Sequence, residues 1–585
     1  MTATRAGAGI EAALDEALGT LDETARRSLE LDENEQFPGD FCSRLDGFGL
    51  PAYYVPAEWG GALSDHEDLI RLWRTAARRD ISAVTAHAKT YLGVAPVWIA
   101  GNPEQARTTA GAVMSGIPVA WALSEPDHGA DLLSGSVTAT AEPDGYRVDG
   151  VKWPINNATR SGHVTLLART GRDGTGRGQS LFLVDKSALS PGTWRTLPKV
   201  LTHGIRGIDI SGLEFDGALL PADALIGPEG SGLETVLLAL QFTRTMCTAL
   251  SLGAGEYALR LAARFVGARI IQKRPLAERP FPASVLARSA GLLMATEATA
   301  LLAARSIHSL TAEMSVTSAA AKALAPTLVD ATLGELAELL GARSFLSDVY
   351  EYGAFQKVWR DHQIVAVFDG STPVNRATLV QQFPMLVRGF GSGTVDAGGL
   401  ADAVSVGGPV RPVDRGALTL VSRQGCSVVQ ALPALVESIG SRPAPTGLAD
   451  QAAALGAMAE YLHGRMADVA PAARPAMAAY ELAAAYELCY AGAACLHLWA
   501  TGESEHGGES LWQDGLWVRA ALRALLARLA AALRVPVPAA GPGDDRLDAT
   551  LAGLIVDAAN TGAPITPFGA SAPRTLQQGK DSRER

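Results

Sequence analysis

The chain has 585 residues, too many for a single hydrophobic core, and its length predicts three or four folding units. Hydrophobic residues make up 48% and charged residues 19%, a globular composition. The net charge of -11 argues against nucleic acid as a main partner, because binding phosphates requires a basic surface.

The cysteine pattern and the apolar segments exclude further classes. The five cysteines form no C-x-x-C pair, so the sequence predicts neither a disulfide framework nor a metal site. The first residues lack the apolar run of a signal peptide, and a cytoplasmic location is expected. The segment 480–500 is almost entirely apolar, but Glu481, Glu487 and His497 interrupt it. Because a charge in mid-bilayer costs about 3 kcal/mol, a buried helix is favoured over membrane contact.

The predicted elements begin with helices. Over residues 1–118, apolar side chains recur at helical spacing, as in the segment 69–76. From 119 to 228 the sequence favours short strands. Residues 136–141 alternate with a period of two, and Glu-Pro-Asp-Gly at 142–145 is a turn signal, so a β-hairpin is predicted.

Helical periodicity returns over residues 229–388. The Gly-rich stretch 389–414 has few large apolar side chains, which is typical of a linker. Residues 415–563 form another helical block rich in Ala and Leu, and the polar tail 564–585 is expected to be disordered. The order helix, strand, helix predicts three units, followed by an extra helical domain.

Local motifs in this order resemble a known flavoprotein family. No Gly-x-Gly-x-x-Gly follows a predicted strand and no P-loop occurs, so a nucleotide would have to be held another way. The motifs are ALSEPDHGAD at 122–131, GVKWPINN at 150–157, HGIRG at 203–207 with the turn 221–232, Arg244 nine residues before Gly253, and Arg360-Asp361 with FDGS at 368–371. Together they resemble the acyl-CoA dehydrogenase family over about residues 10–385.

The resemblance implies an α+β fold with an N-terminal α-helical domain, a middle β-barrel domain and a C-terminal four-helix bundle. It implies FAD between the β domain and the C-terminal helices, across a subunit interface, in a homodimer or homotetramer. The block after residue 415 resembles, in position and length, the C-terminal extension of very-long-chain acyl-CoA dehydrogenases.

Several residues match family positions beside the flavin. Ser124 stands where a hydroxyl lies near N5, and a donor there would stabilise charge on the reduced ring. Pro154 stands where the family has a tryptophan on the flavin face, so either Trp153 shifts onto the ring or that face is covered differently. The matched positions on this side are Trp121, Leu123, Ser124, Gly129, Trp153 and Asn156.

Other residues match positions at the FAD phosphates. Arg269 matches an arginine that reaches the neighbouring subunit's FAD, while Gly341, Ala342 and Ser371 match small or hydroxyl residues whose backbone N–H groups approach phosphate oxygens. Each has an ordinary alternative, since Arg269 could be a surface arginine and Gly341 a helix C-cap.

The substrate site is implied at Ala130, Arg244, Phe368 and Gly370. Ala130 replaces a serine that contacts the phosphopantetheine group in relatives, so one hydroxyl is lost there.

Asp369 is the matched catalytic carboxylate. Most relatives that oxidise thioesters have glutamate there, which removes the α-proton while flavin N5 takes the β-hydride. The family's second location for this base holds Thr243, which is not a carboxylate. Aspartate is one methylene shorter, which retracts the carboxylate by roughly 1–1.5 Å, and such a misplacement can cost about a hundredfold in rate. The ordinary alternative is a helix-capping aspartate.

The predicted function is therefore FAD-dependent α,β-dehydrogenation of an acyl thioester, on CoA or on an acyl-carrier protein, to the enoyl thioester. An electron-transferring flavoprotein is the family's default electron acceptor. One alternative on the same scaffold is a flavin monooxygenase or oxidase, whose members typically lack the base. Another is a degenerate paralogue that acts as a partner subunit, against which the retained Arg360-Asp361 and Asp369 argue.

Overall fold

The computed structural model describes residues 7–171, 178–470, 472, 474–537 and 544–569. Its N-terminal unit consists of α1 Gly7–Leu18, α2 Leu21–Glu33, α3 Gly39–Phe48, α4 His66–Ala77, α5 Ile81–Ala100 and α6 Pro103–Met114. Asp80 starts α5 by accepting hydrogen bonds from the N–H groups of Ser82 and Ala83. Because α5 packs against both the bundle and the sheet, its side chains can reach a site between them.

The middle unit is a mixed sheet with strands in the order β6-β7-β3-β2-β4-β5-β8, and β1 pairs in parallel with β4. The predicted hairpin is present, with Glu142 paired to Gly145. Val148, Leu166 and Phe182 are buried in its own hydrophobic core. The strands are β1 Val119–Ala122, β2 Thr138–Glu142, β3 Gly145–Asn156, β4 His163–Arg169, β5 Gln179–Asp185, β6 Trp194–Leu197, β7 Ile210–Pro221 and β8 Leu225–Ile226.

A helical bundle follows the sheet. Its long helices α7 and α8 have apolar stretches long enough to cross a membrane, but 89% and 94% of those stretches are buried in the protein, as in core helices. Between them, β9 Ile270–Ile271 and β10 Arg274–Pro275 form a small hairpin. The helices are α7 Gly232–Ala268, α8 Pro280–Ser309, α9 Met314–Leu340, α10 Ala354–His362 and α11 Thr372–Ser392.

The C-terminal block packs mainly on α8, which α16, α17 and α18 all contact. The apolar segment 480–500 lies within α16 and is buried there, as expected from its sequence. The helices of this block are α12 Ala397–Val404, α13 Ser427–Gln430, α14 Leu432–Gly440, α15 Leu448–Ala467, α16 Met477–His506, α17 Leu516–Leu533 and α18 Asp544–Thr561.

The expectation of an open linker at 389–414 is wrong. The end of α11 and the whole of α12 occupy much of this stretch, and Arg305 of α8 donates to its backbone carbonyls. Asp396 accepts a hydrogen bond from the N–H of Gly399. A Cβ on Gly399 would lie 2.5 Å from the carbonyl oxygen of Ser309, so this glycine permits close packing rather than flexibility.

The predicted disordered tail also begins too early. Ile565 and Phe568 are buried, and the Thr566 hydroxyl donates to Glu297 at 2.5 Å. Ile565 and Phe568 are apolar residues in an otherwise polar segment. The composition of that segment therefore predicted that disorder begins before them. The rest of the predicted tail, 570–585, lies outside the described residues.

Glu313, between α8 and α9, joins the bundle to the C-terminal block. Its carboxylate accepts hydrogen bonds from the N–H and the hydroxyl of Ser427. Burial raises the pKa of Glu313 from 4.5 to about 7, although the bonds from Ser427 oppose the shift. The folded protein therefore binds more protons than the unfolded chain in this range, so the stabilisation is complete below pH 4.5 and is lost as pH rises through 7.

We expect Glu313→Gln to flatten this pH dependence. Glutamine keeps the size and an acceptor oxygen but does not titrate. Between pH 4.5 and 7.5, wild type should lose up to roughly 3 kcal/mol relative to the variant. Melting temperatures of both proteins across this range measure the difference, and parallel curves would contradict the prediction.

Candidate active site

Asp369 lies in the segment that joins α10 to α11, with a backbone φ of 56°. This left-handed conformation is uncommon outside glycine, although aspartate tolerates it better than most residues. Gly370 follows with a φ of 88°. The N-cap of α11 is Ser371, and Asp369 makes no capping hydrogen bond, so the helix-capping alternative for Asp369 is wrong.

Two side chains hold one oxygen of Asp369. The Cys247 thiol donates to Oδ2 at 3.2 Å, and the Lys89 ammonium lies 3.5 Å from the same oxygen. Burial, reinforced by the charge of Asp369, raises the pKa of Cys247 far above its usual value, so the group stays a thiol and a donor. Among the described residues none donates a hydrogen bond to Oδ1, and 11% of the Asp369 side chain remains exposed.

Two buried cations hold the backbone around Asp369. Arg244 of α7 donates from Nε to the Asp369 carbonyl at 3.2 Å. Lys322 of α9 donates to the carbonyls of Val365, at 2.6 Å, and Gly370, at 3.5 Å. Burial lowers the pKa of Lys322 to about 8 and that of Arg244 to about 10, while Asp369 opposes both shifts. The bundle thus holds the backbone at Asp369 through its own carbonyl and those of Val365 and Gly370.

Phe368 lies beside the same cations. Its ring centroid is 3.7 Å from the Lys89 ammonium and 5.3 Å from that of Lys322. The sequence had pointed to Phe368, Asp369, Gly370 and Arg244, and the structure brings them together. It had not pointed to Lys89, Cys247 or Lys322. The available signal was a lone lysine in each of two apolar helices, since lysine is rarely buried without a partner.

On the sheet side, the ends of β1 and β3 meet. The N–H of Trp153 donates to the carbonyl of Ser124 at 2.9 Å. A register shift between β3 and β7 sets Trp153 and Pro154 together opposite Gly212. Pro154 is exposed, and the Trp153 indole packs against Gly212. The extra residue in β3 therefore changes the placement of Trp153 relative to an unbulged strand, and its contact with the flavin ring stays a prediction.

A buried ion pair orders the loop that follows Ser124. Lys152 of β3 donates to Glu125 at 2.8 Å and to the Leu123 carbonyl at 3.0 Å. Glu125 also accepts from the N–H and hydroxyl of Ser136. Burial alone would raise the pKa of Glu125, but the hydrogen bonds from Lys152 and Ser136 outweigh it and lower the pKa to about 2. Gly129 and Ala130 are exposed in this loop.

Lys152→Met should loosen this loop. Removing one partner of a buried pair leaves an uncompensated charge and typically costs about 3–5 kcal/mol. We expect a lower melting temperature and weaker flavin retention, measured as the ratio of flavin to protein absorbance after gel filtration. Lys186→Met is the control, since Lys186 in the same unit donates to the carbonyls of Ala158 and Thr159, lies over the Trp194 ring and forms no ion pair with a carboxylate among the described residues. Equal flavin content in both variants would contradict the prediction.

Two buried polar atoms at this end of the sheet fit a polar planar cofactor. The Trp121 Nε1 and Asn156 Oδ1 atoms are buried, and neither has a hydrogen-bond partner in the part of the chain that the structure describes. Such an atom costs about 1–3 kcal/mol when it stays unpaired, so a ligand with complementary groups would stabilise both. In the described ranges, no group of three His, Cys, Asp or Glu side chains could hold a metal.

The remaining predicted cofactor residues lie elsewhere. Arg269, Gly341 and Ala342 are exposed at the ends of α7 and α9, which meet where Arg343 lies over the Phe265 ring. Arg269 is about 30 Å along the α7 axis from Cys247, so it cannot reach Asp369 in the same chain. Contact with a neighbouring subunit's FAD stays a prediction. Ser371 lies at the N-terminus of α11, where free N–H groups favour an anion.

Models of known protein families match most of the helices and strands described above. Residues 12–116, 120–218 and 230–383 match the family models of the N-terminal, middle and C-terminal domains of acyl-CoA dehydrogenase.

Individual relatives agree with these matches. The chain is 27% identical over 360 residues to a probable acyl-CoA dehydrogenase of Mycobacterium leprae, covering 61% of this chain and 90% of that protein. It is 27% identical over 359 residues to the human mitochondrial short-chain specific acyl-CoA dehydrogenase, covering 60% and 84%. The solved structure of a Bacillus anthracis acyl-CoA dehydrogenase complexed with FAD superposes over 95% of this chain and 96% of its own, with a TM-score of 0.68 and 19% identity. That coverage extends the shared fold to the C-terminal block.

Proposed function

The chain belongs to the acyl-CoA dehydrogenase family, whose cofactor is FAD, and we propose that it oxidises an acyl thioester to the α,β-enoyl thioester with Asp369 as the base. In this reaction the α-proton passes to the Asp369 carboxylate as hydride leaves the β-carbon. FAD, when bound, supplies the two-electron acceptor for that hydride.

The observation that supports this role is that the two carboxylate oxygens of Asp369 differ in their polar contacts with the protein. Cys247 and Lys89 contact Oδ2, while Oδ1 accepts no hydrogen bond from the described residues. A general base must present one oxygen to the substrate from a fixed position, and an anchored second oxygen provides that position. The left-handed backbone adds to the argument, because strained conformations are held where a site requires them.

Other residues have roles that follow from their places. Arg244 holds the carbonyl of Asp369, and Lys322 holds the carbonyls of Val365 before it and Gly370 after it, so the Asp369 N–H can keep a fixed direction toward the thioester carbonyl. Trp121, Ser124 and Asn156 would hold the flavin ring at the sheet. The phosphates would lie near Ser371, and near Arg269, Gly341 and Ala342 of a second subunit, which makes a homodimer or homotetramer part of the proposal.

The thioester carrier and the electron acceptor complete the proposal. Acyl-CoA is the expected substrate form, with an acyl-carrier protein as the second option, and an electron-transferring flavoprotein is the expected acceptor. The expected location is the cytoplasm.

Anaerobic mixing tests the function directly. The purified holoenzyme is combined with a panel of acyl-CoA and acyl-carrier thioesters, without oxygen, while flavin absorbance near 450 nm is followed. Bleaching by at least one thioester, with formation of the enoyl product, is the expected result. If no thioester reduces the flavin although FAD is fully bound, dehydrogenation is wrong.

A further inference from the structure

Lys89 is a cation at the wall of the proposed reaction site. Its side chain and that of Asp369 retain 10% and 11% of their surface exposed, whereas Lys322 is fully buried. Lys322 is satisfied by two carbonyls of the bundle. Among the described residues, Lys89 has only the ion pair with Asp369 and the face of Phe368, and its ammonium makes no hydrogen bond to a carbonyl. Lys89 can therefore donate to a ligand.

The charges around Asp369 do not balance. Lys89, Arg244 and Lys322 bring three cationic groups to this segment, and among the described residues Asp369 is the one carboxylate that forms an ion pair with any of them. The neighbouring Cys247 remains a neutral thiol because burial raises its pKa. Unbalanced charge in a largely buried site is costly, so the arrangement favours a ligand that adds negative charge.

A plain alkyl chain does not meet this need. It would displace water from the Lys89 ammonium and offer no acceptor in return, which leaves a desolvated charge with the Asp369 carboxylate and the Phe368 ring as its partners. An acyl carboxylate would instead accept from the free N–H groups and place the ammonium between two carboxylates.

The position of Lys89 limits the acyl length. The base must contact Cα, and the ammonium lies only 3.5 Å from the base oxygen. An acyl carboxylate that reaches Lys89 must therefore lie within a few bonds of Cα, which corresponds to an acyl chain of about four to six carbons.

We propose that Lys89 is a specificity-determining residue that selects short acyl thioesters ending in a carboxylate. This inference rests on the proposed dehydrogenase function and names its substrate class. The chemistry is unchanged: the Cα–H proton goes to Asp369, the Cβ–H bond breaks with its electron pair as hydride to FAD, and a Cα–Cβ double bond forms. The terminal carboxylate binds Lys89 and does not react.

The test compares two five-carbon substrates, glutaryl-CoA and pentanoyl-CoA, which differ in the terminal carboxylate. Wild-type holoenzyme should have a kcat/KM at least tenfold higher for glutaryl-CoA. Lys89→Met keeps most of the side-chain length and should remove this preference, so that the ratio of the two kcat/KM values falls at least tenfold, whatever the variant does to the rate through the base that Lys89 contacts. Lys89→Arg should retain part of the preference. Lys199→Met, at a partly exposed lysine paired with Glu35, is the matched control and should behave as wild type.

Binding measurements make the test independent of turnover. Calorimetric Kd values are measured for the thioether analogues of both substrates, which lack the carbonyl and are not oxidised. Tighter binding of the carboxylated analogue to wild type, lost in Lys89→Met, supports the inference. Equal binding of both analogues, or a preference that Lys89→Met leaves intact, overturns it. If pentanoyl-CoA is oxidised as efficiently as glutaryl-CoA, the selectivity is wrong and the dehydrogenase function stands. If no thioester reduces the flavin, the function itself fails, and the Kd values still decide the role of Lys89.

Discussion

Asp369→Asn should slow flavin reduction by thioester substrates by at least a thousandfold while leaving FAD bound. The amide keeps the shape of the carboxylate and can still accept from the Cys247 thiol, but it cannot take a proton. The α-proton of a thioester is weakly acidic, so its removal depends on a positioned base. The measurement is single-turnover flavin bleaching in a stopped-flow spectrophotometer, under anaerobic conditions, with the substrate that reduces wild type fastest.

Two comparisons separate base catalysis from other effects. An unchanged flavin-to-protein ratio and melting temperature in Asp369→Asn would exclude a folding defect. Asp369→Glu tests how far the carboxylate must extend toward the substrate. This variant restores the residue that most relatives have, and it should remain active if the site tolerates the extra methylene. Should Asp369→Asn bleach as fast as wild type, base catalysis at this residue would be wrong, and the flavin monooxygenase or oxidase alternative would become the better hypothesis.

The sequence pointed to the segment of the proposed base but not to the residues around it. Asp369 and Arg244 were found because each lies within a short motif with recognisable spacing. Lys89 and Cys247 were not, because their relation to Asp369 exists only once α5, α7 and the segment before α11 pack together. Contacts between residues so far apart in sequence leave no local pattern. The sequence shows only that a lysine interrupts an apolar helix.

A similar limit applies to the fold. The hairpin of β2 and β3 was predictable, because alternation and a turn signal are local properties. The stretch 389–414 was predicted to be a linker because it is rich in glycine. Glycine occurs both in flexible segments and where two parts of the backbone pack closely, and composition alone does not distinguish these cases. Gly389 shows the second case, since a Cβ there would lie 2.2 Å from the Gln430 side-chain oxygen. The start of the disordered tail was predicted too early, because two apolar residues, Ile565 and Phe568, change the composition of a polar segment very little.

The C-terminal segment also completes a buried charge network on α4. Arg74 donates to Glu256 at 3.0 Å and to Glu297 at 2.5 Å, and its remaining nitrogen donates to the Ile565 carbonyl at 3.3 Å. Burial alone would raise the pKa of Glu256, but Arg74 and its neighbouring arginines lower it to about 2. The network thus connects the N-terminal unit, the bundle and the end of the chain through one guanidinium.

Arg74→Met should therefore destabilise the whole protein strongly. Methionine fills part of the volume but, among the described residues, leaves Glu297 with the Thr566 hydroxyl as its one hydrogen-bond donor, and it removes one of the cations that face Glu256. Loss of one partner from a buried network typically costs about 3–5 kcal/mol, which corresponds to a decrease of about 3 °C in melting temperature for a cooperative chain of 585 residues. Arg26→Met is the matched control, because Arg26 forms an exposed i,i+4 pair with Glu30 and its loss should lower the melting temperature by less than about 1 °C. Cleavage near residues 562–569 in limited proteolysis should accelerate in Arg74→Met alone, since the segment loses its bond to α4. Equal melting temperatures for the two variants would show that the network is not what holds these units together.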